Sequence, residues 1–197
     1  RTKPIIVLKP GKISVNHASK KYNISAMVGE DLHYDAIFRR AGVVRVEEIE
    51  DLFSCASILN TAQLPKGPNL AIITNAGGPA VLATDALISR GGKLAHLSEG
   101  TLSALNELLP TNWSKSNPVD ILGDAEPQTY AKTIELIIKD PGVDGAVVIY
   151  TPQGVANPIE TAKVVIKQAK KANKPVLTAL IGNSEVAKTR QLFYKSK

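Results

Sequence analysis

The sequence predicts a three-layer α/β/α sandwich around a mainly parallel β-sheet, and three features carry that prediction. Short runs rich in β-branched residues alternate with helical patterns along most of the chain, which puts a helix between successive strands and makes each connection a right-handed crossover. One run, Ala146-Val147-Val148-Ile149, is apolar without alternation, as suits a strand covered on both faces of a parallel sheet. Another, Leu70 to Ile73, passes through Thr74-Asn75-Ala76-Gly77-Gly78-Pro79 straight into a helical pattern. Strand, glycine turn and helix in that order are the joint on which such folds are built.

Each element has its own local reason. Pro4 to Leu8 reads as the first strand. Residues 30–61 read as a helical connector, in which the single cysteine, Cys55, lies in an apolar stretch and serves as core packing. Lys66-Gly67-Pro68 marks a boundary before the complete domain, and Leu70 to Ile73 is its first strand. The helix that follows is expected over Ala80 to Arg90, with Pro79 at its first position, where a fixed helical φ helps and the missing N–H costs nothing. After a strand over Lys93 to Leu97, Ser98 caps a helix bearing Leu102, Leu105, Leu108 and Leu109 that Pro110 helps to stop. Pro127 opens another, with Tyr130, Ile134, Ile137 and Ile138 facing inward and Asp140-Pro141 closing it. Gly145 to Tyr150 is the next strand. Asn157 and Glu160 form a capping box around Pro158, ahead of Ile159, Ala162, Val165, Ile166 and Ala169 on one face. Pro175 to Ile181 is the last strand the pattern shows.

Composition narrows the function classes. One cysteine allows no internal disulfide, which fits a reducing compartment, and no apolar run approaches the roughly 20 residues of a membrane span. The start is not a signal peptide, so a cytoplasmic protein without a membrane partner is expected. The net charge of +6 is uneven. Lysines 163, 167, 170, 171 and 174 crowd one late helix and read as its solvated face. Aromatic residues make up only 5% of the chain; too few accompany the lysines for base stacking, and no nucleic-acid partner is expected. His33 and His96 have no Cys, Asp or Glu at ligand spacing, so no metal site is expected.

The best lead to chemistry is the turn at residues 74–79. Glycines at 77 and 78 leave the backbone open to close approach, and the helix behind them aims unpaired amides and its positive dipole end at whatever sits above. Asn75, Ala76, Gly77 and Gly78 are therefore the candidate phosphate-binding residues. Ligands in open α/β sheets bind beyond the carboxyl ends of the strands. The other loops at those ends are small and polar as well, which makes Asn117, Asp120, Gly123, Thr151 and Gln153 the candidate rim.

Several stretches resemble one known family: Lys3 to Lys9, Tyr34 to Phe38, Ala41 to Val46, Thr74 to Pro79, Asn117 to Ala125, and Tyr150 to Gln153. In this order they resemble NDP-forming acyl-CoA synthetases, the ADP-forming acetate–CoA ligases related to succinyl-CoA synthetase. The resemblance spans essentially the whole chain. It implies that residues 1–29 end a succinyl-CoA-synthetase-like domain and carry its catalytic-loop segment, that 30–61 connect, and that 62–197 form a flavodoxin-like (Rossmann-like) domain cut before its final strand. It also implies CoA and ATP or ADP with Mg as ligands of the full-length protein, and CoA-binding and ATP-grasp domains or subunits as partners.

In that family a loop histidine carries the phosphoryl group between nucleotide and acyl group. Aligned without gaps from Lys9 to Asp35, Asn23 stands at that position, and an amide has no nucleophilic ring nitrogen. His17 is a substitute only if the loop is about six residues longer than the family's. The resemblance thus implies an acyl-CoA synthetase, while Asn23 favours a catalytically silent acyl-CoA sensor of the kind fused to GNAT-type lysine acetyltransferases. A flavodoxin-like FMN binder is a weaker reading, because only Tyr150 offers an aromatic ring near the rim loops.

Overall fold

The computed structural model of the chain describes residues 3–9, 31–61, 63–154 and 157–196. They divide into two compact units, Arg1–Ala62 and Gln63–Lys197.

In the first unit, strand β1 (Ile6–Leu8) pairs in parallel with β2 (Val44–Val46), Ile6 opposite Val44. Helices α1 (Asp31–Ala41) and α2 (Ile49–Thr61) flank β2 in sequence. Residues 30–61, expected as a helical connector, therefore hold a strand as well. Gly42, at φ +64°, ends α1 in the left-handed conformation that glycine adopts without strain. Arg45 ties the unit together: its guanidinium donates to Asp35 at 2.6 Å and to the Lys9 carbonyl at 3.3 Å.

The second unit is a five-stranded parallel sheet. Its strands are β3 (Asn69–Thr74), β4 (Lys93–Leu94), β5 (Val119–Asp120), β6 (Gly145–Tyr150) and β7 (Val176–Leu180), ordered β4-β3-β6-β7 with β5 also on β3. All pairs are parallel, so every strand presents its carboxyl end to the same rim. The connecting helices are α3 (Gly77–Ser89), α4 (Glu99–Leu108), α5 (Pro127–Lys139), α6 (Pro158–Lys171) and α7 (Ser184–Lys195). Side chains of one parity in the strands, Ala71, Ile73, Val119, Ala146, Val148 and Tyr150, share a core with Leu105 of α4, Ile134 and Ile137 of α5, Val165 of α6 and Val186 of α7. Each fully buried Ile, Leu or Val there contributes about 1.5–3 kcal/mol. Helix α3 packs on β3 and β4. Its Val81, Leu82 and Ile88 remain exposed.

Strand β3 shares one edge between two short partners. Its first residues pair with β4, Leu70 opposite Leu94, and its last with β5, Thr74 opposite Asp120. Asn117 fills the gap between them. Its Oδ1 accepts from the Ile72 amide at 2.9 Å, and its Nδ2 donates to the carbonyls of Leu70 at 2.9 Å and Ala95 at 3.0 Å. A side-chain amide thus replaces one rung of backbone ladder. This is why β4 stops at Leu94 instead of running to Leu97 as expected.

At the other end of the sheet, Asp140 joins α4 to the turn after α5. It accepts from the Ser98 amide at 2.8 Å, the Ser98 hydroxyl at 2.9 Å and the Gly142 amide at 2.8 Å. Ser98 in turn caps α4. Burial by itself would raise the Asp140 pKa, but the donors, Thr101 and Ser98 among them, outweigh it and hold the carboxyl below the ordinary carboxylate range.

Candidate functional site

The turn after β3 is closed from both sides. Thr74, fully buried, accepts from the Ala76 amide through Oγ1 at 3.0 Å and donates to the Ala76 carbonyl at 2.9 Å. Asn75, also buried, donates through Nδ2 to the Thr151 carbonyl at 2.7 Å and accepts from the Thr151 amide at 2.9 Å. That reciprocal pair locks the carboxyl end of β3 to that of β6. Asn75 therefore holds the turn in place, and its amide is spent on doing so.

Helix α3 begins at Gly77, three residues earlier than expected, with Ala76 as its N-cap and no side-chain cap. Pro79 is thus the third helical residue, which is tolerated because the first turn's N–H groups have no intrahelical acceptor in any case. The Ala76 amide is taken by Thr74, Pro79 has no N–H, and the Ala80 amide closes the first intrahelical bond onto the Ala76 carbonyl, so the donors facing outward are Gly77 and Gly78. Neither glycine has a positive φ; what they contribute is room. A Cβ on Gly78 would meet nothing within 4 Å, and one on Gly77 would meet only Asp120 Oδ2, at 3.7 Å. Both glycines are exposed at the rim.

The register places Asp120 there. Opposite Thr74 in the ladder, it accepts from the Leu122 amide through Oδ1 at 3.0 Å. Gly123 lies against the β6–α6 loop, where a Cβ would come into contact with the Gln153 side chain, 3.4 Å from Cδ. Asn117, three residues before Asp120, sits lower in the sheet and reaches the rim only through the strand it anchors. The structure therefore gathers the turn, Asp120, Gly123, Thr151 and Gln153 at one end of the sheet.

The Ligase-CoA domain family matches residues 70–197, and the succinyl-CoA ligase-like flavodoxin domain family matches residues 1–59. The chain belongs to the NDP-forming acyl-CoA synthetase family. Among its relatives is the 4-hydroxybutyrate–CoA ligase [ADP-forming] of Nitrosopumilus maritimus, 33% identical over 190 residues, 96% of this chain and 27% of the relative. Another is the acetate–CoA ligase [ADP-forming] II subunit alpha of Pyrococcus furiosus, 35% identical over 100% of this chain and 44% of the relative. A solved structure of the dinucleotide-forming acetyl-coenzyme A synthetase 1 of Candidatus Korarchaeum cryptofilum, in complex with phosphate and ADP, aligns with a TM-score of 0.85 at 30% identity, over 98% of this chain and 42% of that one. The chain thus spans less than half the length of these relatives.

Within this acyl-CoA synthetase scaffold, Asn23 and His17 lie outside the described residues. Two features are not legible in the sequence, the role of Thr74 and the pairing of two tyrosines. Thr74 closes the turn, and its position inside the 74–79 motif was the available signal. Tyr130 and Tyr150 form a ring pair with centroids 6.1 Å apart, both nearly or fully buried, and neither hydroxyl has a hydrogen-bond partner. Burial raises the Tyr130 pKa far above the ordinary phenol value, with Tyr150 and the Asp120 charge adding to it. Burial raises that of Tyr150 as well. Both remain neutral donors. Among the described residues no group of three or more His, Cys, Asp or Glu could hold a metal ion, and no helix is long and apolar enough to cross a membrane.

Proposed function

We propose that this chain is the phosphate-handling portion of an ADP-forming acyl-CoA synthetase of cytoplasmic type, with the Gly77-Gly78 turn as the seat of the phosphate exchanged between nucleotide and acyl group. One observation carries this reading. In a chain aligned along its whole length with ADP-forming CoA ligases, the Gly77-Gly78 turn opens a helix at the sheet's carboxyl rim with uncapped amides and open space above them. The fit is to an anion of phosphate size: the two outward amides donate, and the helix dipole adds about 0.3–2 kcal/mol. Asn75, Ala76, Gly123, Thr151 and Gln153 shape the site, and Asn117 and Asp120 border it.

CoA, ATP or ADP, and Mg belong in this reading to the full-length protein. CoA-binding and ATP-grasp domains or subunits are its partners. The relatives' greater length supports this, as do the exposed Val81, Leu82 and Ile88 on the helix that starts at the turn. Asn23 supports a second reading, in which the same scaffold binds acyl-CoA or phosphate without turnover.

Calorimetric titration with phosphate tests the site. Gly78→Val should weaken binding by at least about tenfold, because the branched side chain fills the space the anion needs and costs the interactions of one seat, at roughly 1.4 kcal/mol per tenfold. The fold should persist, since that space is open. Equal affinities of wild type and Gly78→Val would remove phosphate from this turn.

A further inference from the structure

We draw no further inference here: the strongest candidate, the exposed apolar patch of Val81, Leu82 and Ile88 on the outer side of α3, belongs to the partner-domain reading already given, and nothing in the structure shows what covers it.

Discussion

Asp140→Ala should cost the second unit about 3–5 kcal/mol of stability, read as a lowered midpoint in urea unfolding. The substitution leaves the Ser98 and Gly142 amides without their acceptor and removes the bridge between the α4 cap and the turn before β6. Against a typical domain stability of about 5–15 kcal/mol, this is a large share. The same carboxylate gives the effect a pH signature. Its folded pKa is lowered, so its contribution is fully present above the unfolded value near 3.9 and disappears as pH falls through the depressed folded value. The gap between wild type and variant should therefore be at its full size above about pH 5 and narrow as pH falls below about 4 towards the depressed folded value. A constant difference across that range would assign the loss to packing instead of charge.

The second large effect concerns phosphoryl transfer. If Asn23 occupies the family's phosphohistidine position, as the ungapped alignment implies, the full-length protein incubated with ATP should carry no acid-labile phosphate on this loop. The helix end at Gly78 can stabilise a developing charge but cannot attack phosphorus, and an amide has no nucleophilic nitrogen to offer. His17→Ala is the control. Acid-labile label that disappears in His17→Ala would show that the loop is longer than the ungapped alignment implies and that His17 is the nucleophile. Asn23→His should gain partial labelling at most, because Ile24 and Ser25 also depart from the family's loop.

The difference between what could be read in the chain and what could not follows the range of the interactions. Ala146 to Ile149 announces a buried parallel strand because its apolar residues do not alternate. Ser98, Pro127 and Asn157 announce helix starts because caps act over three residues, and Ser98 and Asn157 do accept from Thr101 and Glu160 amides. Strands β2 and β5, three and two residues long, are too short to show any period. Helix α7 passed unnoticed because its apolar positions are few, although Val186 reaches the core.

The site shows the same contrast. Gly77 and Gly78 were visible because glycine at a strand–helix joint has a local meaning. The bonds that position them are not local: Asn75 meets Thr151 across 76 positions, and Asn117 meets Ile72 across 45. Asn117 illustrates the consequence, since an exposed-looking polar residue in a rim motif turns out to complete the sheet. The pair of buried tyrosines is similar. Tyr130 reads as a core-facing helix residue and Tyr150 as the end of a strand; only the fold brings their rings together.

The occupant of the β3–α3 turn decides whether the helix end holds phosphate. Crystals of the chain soaked in phosphate should show tetrahedral density over Gly77 and Gly78, within hydrogen-bond reach of the outward amides of both glycines. Density confined to the lysine-rich surface of α6, around Lys163, Lys167 and Lys170, with none at the turn, would contradict it.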